Sequence, residues 1–362
     1  MIDHHAHPFA LQGGTFDPST LTLDVERDPG AEDRRRQQGP SRLAQELLTV
    51  RLAQRLGCEP EELATARAEA SRDWTAYASA LFRDAGITAI LMDLGIAPGA
   101  EANVDGYAEA SGCAIHPIMR IDPMVDGLIS SGASAKEILD AVLTSMQEAA
   151  GAGAVGFKTI LAYRTGLSVD PFVTLEQAEA SLAGDGAVRR RGKSCRDLVF
   201  RRALGVAADL GLPFQIHTGF GDSELRLSES HPLLLEELLR TPEGSAAKIV
   251  LIHGSYPWHE EQAWLATTRP NVWAEVSLFD IFSPVTMGSR LLRWIDLAPT
   301  DKLIAGTDGH GEPEVFWFAA GVLREGWATV RATLTEAGVR EAWLARAERR
   351  IFEENARELY GV

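Results

Sequence analysis

The stretch Lys248-Ile249-Val250-Leu251-Ile252-His253 is a short apolar run that ends in a histidine. Consecutive apolar residues without polar alternation are typical of a β-strand that is buried on both faces, as strands are in parallel sheets. We therefore predict that this run is a parallel strand in the interior of the protein. The histidine at its end is a first candidate for a chemical role.

Eight short β-rich runs alternate with amphipathic helical stretches along most of the chain. Repeated strand–helix units indicate a parallel sheet, and eight of them form an α/β fold, the (β/α)8 barrel of the TIM type. A chain of 362 residues accommodates one such barrel with insertions, so we predict a single domain over residues 1–362. The predicted strands are Ile2–His7, Thr88–Leu94, Ala114–Ile121, Gly156–Ala162, Pro213–Thr218, Lys248–His253, Asn271–Ser277 and Lys302–Thr307.

Two regions depart from the regular alternation. Residues 9–85 follow the first strand and contain a polar loop and two helical patterns, Leu43–Leu56 and Glu61–Arg83. We interpret this region as a helical insertion that caps the barrel or presents a surface to a partner. Helical patterns also continue beyond the eighth strand to Leu359, which predicts extra C-terminal helices on the outside of the barrel.

The composition narrows the classes of partner. The net charge is −16, because 35 Lys and Arg residues face 51 Asp and Glu residues. Such a surface repels nucleic acid phosphates and anionic membranes, so we expect a small-molecule substrate and neither of those partners. A homo-oligomer is compatible with this composition.

The cysteines and the N-terminus bear on the compartment. Three widely spaced cysteines, Cys58, Cys113 and Cys195, argue against a disulfide framework and against thiolate metal ligands. The first residues show no signal-peptide pattern, and no run reaches the roughly 20 apolar residues of a membrane span. We therefore expect a cytoplasmic protein.

The strongest functional signal is a set of metal-binding residues on the predicted strands. In a barrel of this kind the active site lies at the C-terminal ends of the strands. Residues two apart on a strand point to the same side, as in His5-Ala6-His7. Imidazole and carboxylate ligands without thiolates suit Zn, Fe or Mn. The candidate ligands are His5 and His7 on strand one, Lys158 near the start of strand four, His217 on strand five, His253 on strand six and Asp308 after strand eight.

Each of these residues also has an ordinary structural explanation. His217 or His253 alone could be a hydrogen-bonded core histidine. Lys158 could be a partly buried lysine in an ion pair, and Asp308 could be a turn residue before a glycine. Ligands on several strands of one barrel are harder to explain in this way. We therefore predict a centre with one or two divalent metal ions.

Further residues near the predicted strand ends are weaker candidates for substrate binding. Arg120, Tyr163 and Arg164 could clamp a substrate carboxylate, because a guanidinium matches that group with two parallel hydrogen bonds. Each arginine could equally form a structural ion pair. The remaining candidates, for which a supporting or surface role fits as well, are Trp258, His259, Glu275 and His310.

The order of these ligands resembles that of the amidohydrolase superfamily. Three longer motifs resemble amidohydrolase family 2, in particular the amidohydrolase domain fused to glutamine-synthetase-like proteins. They are Phe157-Lys158-Thr159-Ile160-Leu161-Ala162-Tyr163-Arg164-Thr165-Gly166-Leu167, Gln215-Ile216-His217-Thr218-Gly219-Phe220-Gly221-Asp222 and Ile252-His253-Gly254-Ser255-Tyr256-Pro257. The similarity extends from Ile2 to Tyr360. One departure is Thr307-Asp308-Gly309, where relatives more often have Ser-Asp-Ala.

The resemblance implies roles for the ligands. His5, His7 and Asp308 would bind one metal ion, and His217 and His253 would bind a second. Lys158 would bridge the two ions as an N-carboxylated lysine, which requires a neutral amine. Many members of family 2 hold one ion without this bridge, so the presence of Lys158 favours two ions.

The resemblance also implies a reaction class. We expect a metal-dependent hydrolase, in which metal-activated water attacks an amide or related C–N bond of a small organic acid and Asp308 acts as the base. A nonheme diiron monooxygenase acting on an apolar substrate is the alternative from another class, and a metal-dependent decarboxylase is a further one. The identity of the metal and a requirement for dioxygen discriminate between them.

Overall fold

The strands form the predicted barrel. A computed structural model describes residues 1–18, 21, 23, 33, 37–96, 103–184 and 186–362. Each strand pairs in parallel with the next one along the chain. Backbone hydrogen bonds of 2.8 Å from Asp308 N to His5 O and from His7 N to Gly309 O join the segment after the last strand to the first. The strands are β1 (Ile2–Ala6), β2 (Ala89–Asp93), β3 (Ala114–Arg120), β4 (Gly156–Thr159), β5 (Phe214–His217), β6 (Ile249–Ile252), β7 (Val272–Val276) and β8 (Leu303–Ala305).

Helices cover the outside of the barrel. Among the described residues, no helix is both long enough and apolar enough to cross a membrane. A π-helical turn, Arg350–Glu354, joins the last two helices. The helices are α1 (Leu43–Leu56), α2 (Leu63–Ala70), α3 (Trp74–Asp84), α4 (Val104–Ser111), α5 (Asp122–Ser130), α6 (Ala135–Gly151), α7 (Leu175–Leu182), α8 (Lys193–Leu210), α9 (Pro242–Ala246), α10 (His259–Thr268), α11 (Phe279–Phe282), α12 (Met287–Leu297), α13 (Pro313–Glu336), α14 (Glu341–Arg349) and α15 (Asn355–Tyr360).

The fourth strand is shorter than the sequence predicts. It ends at Thr159, because Ile160 leaves the extended region with φ −112° and ψ 37° and a 3₁₀ turn follows. Lys158 is therefore the next-to-last residue of β4 and not a residue near the start of a longer strand. The lysine therefore lies closer to the mouth of the barrel than the sequence predicts.

The insertion after β1 contains helices, as predicted. The helix Leu43–Leu56 has the predicted bounds, whereas the pattern Glu61–Arg83 forms two helices, α2 and α3. The second of them, which begins at Trp74, is capped by Asp73, whose carboxylate accepts a hydrogen bond from Ala76 N. Local capping of this kind ends one helix and starts the next without glycine or proline.

The insertion fastens the loop that follows β8. The side chain of Arg67, in α2, is 1% exposed; its Nε lies 2.8 Å from Oε1 of Glu314 and its Nη2 lies 2.9 Å from Oε2 of Glu312. Tyr77, in α3, donates its hydroxyl to the same Glu314 oxygen at 2.8 Å. The loop between Asp308 and α13 is thus anchored to two helices of the insertion.

The base of the barrel is filled by apolar side chains and by the C-terminal helix. Tyr360, in α15, packs in the same cluster as Ile2, Val250 and Ile304 from three strands. Its hydroxyl lies 2.8 Å from His4 Nε2. The base is therefore a closed, packed core, and the open end of the barrel is the opposite one.

Candidate metal centre

Three side chains, two from the first strand region and one from the segment after the last strand, meet at the C-terminal mouth of the barrel. Nε2 of His5 lies 3.2 Å from Oδ1 of Asp308, and Nε2 of His7 lies 3.1 Å from the same oxygen. All three residues are buried. The structure thus brings the predicted His-x-His pair and the aspartate after β8 to one point.

An irregularity in β1 separates His5 from its neighbour His4. The register of β1 against β2 shifts between Asp3 and Ala6. Irregularities of this kind re-aim side chains along a strand. His4 contacts Tyr360 at the base of the barrel, whereas the next residue contributes to the mouth.

Asp308 is held in a conformation that most residues avoid. Its φ is 53°, in the left-handed region, where a residue with a side chain carries strain that the surroundings must offset. Thr307 N and Thr307 Oγ1 donate to the two carboxylate oxygens of the buried Asp3 at 2.8 and 2.5 Å, and Gly309 N donates to Thr307 Oγ1 at 2.9 Å. These bonds fix the backbone on both sides of Asp308.

His253 is oriented by a chain of hydrogen bonds from β7. Its Nδ1 lies 2.9 Å from Ser277 Oγ, and that hydroxyl donates to Oε2 of Glu275 at 3.0 Å. The single hydroxyl proton is used by the carboxylate, so Ser277 accepts the Nδ1 proton of the imidazole. His253 therefore keeps an unprotonated Nε2, which is the form of a histidine that ligates a metal.

The tautomer of His7 also indicates whether a cation fits at this site. Nδ1 of His7 donates to the backbone oxygen of Asp93 at 3.3 Å, which leaves Nε2 without a proton. Two lone-pair atoms, Nε2 of His7 and Oδ1 of Asp308, then face each other at 3.1 Å and repel unless a cation binds between them. The donor atoms of His5, His253 and Asp308 also lie within 4.8 Å of one another. This arrangement fits a divalent cation.

Lys158 is engaged by two neighbours at the same mouth. Its Nζ lies 2.7 Å from His5 Nε2 and 3.0 Å from Oδ2 of Asp93. Arg120 binds that Asp93 oxygen through Nε at 2.9 Å and Nη2 at 2.5 Å. Asp93 therefore balances two buried cations beside the candidate ligands.

Asp93 is the main residue that sequence reasoning missed. Its donor atoms lie within 4.8 Å of those of His5 and His7, which makes it a further candidate ligand. A signal was present, because Asp93 ends the apolar run Ala89-Ile90-Leu91-Met92 at the C-terminal end of a strand. The same rule that selected the histidines would have selected this aspartate.

His217 lies at the cavity but not in the tightest group of donor atoms. Its ring centroid is 4.4 Å from that of His253, and it lines the cavity. Its Nε2 lies 3.1 Å from the backbone oxygen of Phe220 and donates to it. A metal role for His217 stays a prediction.

Burial sets the protonation states of the donors. Burial, followed by the charge of Lys158, lowers the pKa of His5 to about 3, and burial also lowers the pKa of His7 and of His253. Burial alone would raise the pKa of Asp308, but His253 and the other two histidines hold it well below its usual range. At neutral pH the imidazoles are neutral and the carboxylate is charged, which is the state in which each binds a metal.

A cavity of about 640 Å³ opens next to these donors. Four of the weaker candidates line it: Arg120, Tyr163, Arg164 and His310. Nε of Arg164 lies 2.9 Å from Oδ2 of Asp126, which also lines the cavity. The wall is therefore polar and carries both signs of charge.

The other three weaker candidates lie outside the described lining of this cavity. Trp258 packs its ring 4.4 Å from the ring of His231. His259 is the first residue of α10, and its backbone oxygen accepts a hydrogen bond from Trp294. Glu275 is fully buried behind His253, where it accepts from the backbone N at 2.9 Å. These positions place Glu275 in a supporting role and leave no described contact of Trp258 or His259 with the cavity.

Comparison with protein families agrees with this geometry. The model of the family described as Amidohydrolase matches residues 2–362. The chain belongs to the amidohydrolase family. The resemblance seen in the three motifs is thereby confirmed.

Individual relatives share the fold and, in part, the sequence. Protein fluG of Emericella nidulans is 32% identical over an alignment of 224 residues that covers 57% of this chain and 25% of that protein, so the match spans about a quarter of the relative. A Lactobacillus casei protein assigned as a metal-dependent hydrolase superimposes with a TM-score of 0.87 at 23% identity, over 99% of this chain and 94% of the other. Uronate isomerase of Thermotoga maritima superimposes with a TM-score of 0.71 at 14% identity, over 99% and 94% of the two chains. At these identities the two structures show a shared fold.

Proposed function

We propose that this chain is a metal-dependent hydrolase that cleaves an amide or related C–N bond of a small organic acid. The observation that carries the proposal is the convergence of two imidazole nitrogens, from His5 and His7, on Oδ1 of Asp308 at 3.2 and 3.1 Å. Neutral imidazole and carboxylate donors suit a catalytic divalent ion. The adjoining cavity, at the face where barrels of this type carry their active sites, leaves room for a substrate.

In this proposal the residues have separate metal-binding and proton-transfer roles. His5, His7 and His253 hold a divalent ion through ring nitrogens, and Asp308 holds it through its carboxylate. Such an ion supplies a water whose pKa is lowered to about 7 in the case of zinc, and it polarises the substrate oxygen. Asp308 accepts the proton of the attacking water and returns it to the leaving nitrogen.

The contacts of Lys158 support a centre with one ion. Its Nζ, the atom that would bind carbon dioxide, contacts both His5 Nε2 and Asp93 Oδ2. Burial lowers the pKa of Lys158, while the Asp93 carboxylate acts in the opposite direction. The alternative, two ions bridged by an N-carboxylated Lys158, requires the amine to be released from both neighbours.

Metal analysis separates the two arrangements. We expect about one equivalent of zinc or manganese per chain in protein purified without chelators, by inductively coupled plasma mass spectrometry. Addition of bicarbonate should leave that ratio unchanged. Two equivalents in the wild type, falling to one in Lys158→Ala, would instead establish the bridged centre.

The cavity wall supports an acidic substrate. Of the three side-chain nitrogens of Arg164, Nε bonds to Asp126, and the terminal nitrogens have no hydrogen-bond partner among the described residues. A guanidinium with free terminal nitrogens in a buried wall suits a substrate carboxylate. Tyr163, whose hydroxyl accepts from Asp222 N at 3.0 Å, lies beside it in the lining.

Activity measurements test the proposal directly. The metal-loaded enzyme should hydrolyse members of a panel of N-acyl and N-carbamoyl derivatives of small carboxylic acids under anaerobic conditions. Asp308→Asn should abolish turnover. Arg164→Met should raise KM for acidic substrates by about tenfold or more, the scale of one charge-assisted hydrogen bond, whereas Arg72→Met, at an exposed position, should not.

Two other outcomes would replace the hydrolase. Turnover that requires iron, dioxygen and a reductant would identify an oxygenase. Release of carbon dioxide from a carboxylate substrate without water addition would identify a decarboxylase. Either result would keep the metal centre and overturn the proposed reaction.

A further inference from the structure

We infer that a second, apolar cavity beside the metal centre binds a nonpolar arm of the substrate. This cavity has a volume of about 560 Å³. The inference rests on the proposed function, because it concerns the substrate on which the metal centre acts. The apolar and aromatic residues that define the cavity are Leu43, Phe220, Tyr256, Phe282, Pro284 and Val285.

The apolar cavity adjoins the metal cavity. Phe282 and Leu23 line both of them. Phe282 ends α11, the short helix that follows β7. A substrate arm that extends from the metal centre past Phe282 would therefore reach apolar surroundings.

The floor of the apolar cavity is built on the same strand ends as the metal centre. Phe220 follows β5, Tyr256 follows β6 and Phe282 follows β7. The ring of Phe220 lies 4.9 Å from that of Tyr256 and 6.5 Å from that of Phe282. Phe220 N also donates to the backbone oxygen of Tyr256 at 2.8 Å. This aromatic surface therefore has a fixed position relative to the candidate ligands.

The rim of the cavity exposes apolar side chains to solvent. Val285 is 68% exposed and Leu43 is 57% exposed. Both line this cavity, one beside α12 and the other at the start of α1 in the insertion. Large apolar groups around a concave apolar site are typical of ligand binding, because a nonpolar ligand removes them from water.

The shape favours a small molecule over a protein partner. A stable subunit interface buries about 800 Å² on each side and is not required to be continuous with an active site. One lining residue, Arg42, is charged, and its Nη2 donates to Gln38 at 3.2 Å; the other eleven described lining residues are uncharged and form most of the cavity surface. We therefore assign the cavity to an uncharged alkyl or aryl substituent of the substrate.

A series of alkyl hydroxamates tests this assignment. The hydroxamate group chelates divalent metal ions, so acetohydroxamate reports on the metal centre alone and longer members also report on the apolar cavity. In calorimetric titrations of the zinc-loaded protein, we expect affinity to rise about threefold per added methylene from butano- to octanohydroxamate. A slope near zero in the wild type overturns the inference.

Substitutions in the rim and the floor of the apolar cavity test whether the chain-length dependence arises there. Val285→Ser, at an exposed position outside the lining of the metal cavity, should flatten the chain-length dependence while acetohydroxamate binds as in the wild type. Phe282→Ser should flatten the chain-length dependence as well. Phe172→Ser is the matched control, because this phenylalanine is 80% exposed and lies outside both described linings. It should retain the full chain-length dependence.

The outcomes separate this inference from the proposed function. If acetohydroxamate binds but chain length has no effect, the metal centre stands and the apolar subsite is wrong. If acetohydroxamate itself does not bind the zinc-loaded protein, both fall. If Val285→Ser converts a dimer to a monomer in light scattering and leaves the chain-length dependence intact, the cavity is a subunit interface and the inference is overturned.

Discussion

His4 and His5 are neighbours on one strand, yet they belong to two different polar layers of the barrel. Nε2 of His4 lies 2.8 Å from the hydroxyl of Tyr360, and that hydroxyl accepts from Gln215 Nε2 at 3.2 Å. Nε2 of His5 instead lies 3.2 Å from a carboxylate oxygen of Asp308. The first contact pairs a donor with an acceptor, whereas the second brings two acceptors together.

This difference separates a structural polar group from a ligand-binding one. Buried polar groups that are paired with each other stabilise the fold, and an uncompensated group is costly. In the lower layer His4 Nε2 and Gln215 Nε2 both bond to the Tyr360 hydroxyl, so loss of these bonds should reduce the free energy of unfolding. In the upper layer Lys158 contacts His5 Nε2, but Nε2 of His7 and Oδ1 of Asp308 face each other at 3.1 Å, so loss of this layer should mainly reduce metal binding.

The largest expected effect is that of His5→Ala. Loss of a direct ligand should reduce metal affinity and activity by more than about 100-fold, beyond the range for residues that only support a ligand. In the presence of a chelator, a change in the melting temperature reports separately the loss of the buried contact between His5 Nε2 and Lys158 Nζ. Retained stoichiometric metal, measured by mass spectrometry, would place His5 in the same class as His4.

The second effect is structural and concerns the loop that carries Asp308. Arg67→Met removes the buried cation that pairs with Glu312 and Glu314, and breaking a buried pair of this kind costs about 3–5 kcal/mol of unfolding free energy. Urea denaturation measures the loss. Arg72→Met, in an exposed pair, should cost less than about 1 kcal/mol. Equal stabilities of the two variants would show that the insertion does not fasten the loop.

A smaller effect on metal affinity is expected for a residue that positions one of the proposed ligands. Ser277→Ala removes the hydroxyl that holds the tautomer of His253 and should lower metal affinity by about 10- to 100-fold. The free energy of unfolding of the chelated protein should fall by about 1–2 kcal/mol, the cost of one lost buried hydrogen bond. Ser289→Ala, at an exposed position of α12, is the control. Unchanged metal affinity in Ser277→Ala would remove His253 from the proposed ligands.

The smallest effect is expected in the lower layer. Tyr360→Phe leaves His4 Nε2 without its partner and should reduce the free energy of unfolding by about 1–2 kcal/mol. Metal content and kcat should match the wild type. A fall in metal content would show that the two layers are coupled and would contradict the comparison.

The sequence predicts the barrel and the cluster well because both depend on local patterns. Each of the eight observed strands lies within a predicted run, and the residues at their ends follow from the rule for such barrels. Asp93 ends a strand and could have been selected by the same rule, but no pattern in the sequence indicates its contacts with Lys158 and Arg120 from two other strands. The hydrogen bonds that orient His253 come from β7, and no spacing in the sequence indicates them.

The hydrophobic pattern of residues 61–83 likewise does not predict that this segment forms two helices. The break depends on the cap at Asp73 and on the packing of Arg67 and Tyr77 against one glutamate of α13. The left-handed conformation of Asp308 depends likewise on contacts with Asp3 across the barrel. Contacts between distant segments, rather than local propensity, decide these features.

The bonds between Asp3 and Thr307 join residues 304 positions apart, and the contact of His4 with Tyr360 spans 356 positions. During synthesis the first strand leaves the ribosome long before its partners from the other end exist. Its histidines cannot form these contacts until the eighth strand and the last helix have been made. Contacts between residues that are far apart in the sequence also form slowly. Loading of a metal ion at this centre would therefore be a late event, and we expect a nascent chain interrupted before residue 308 to be unable to retain the ion.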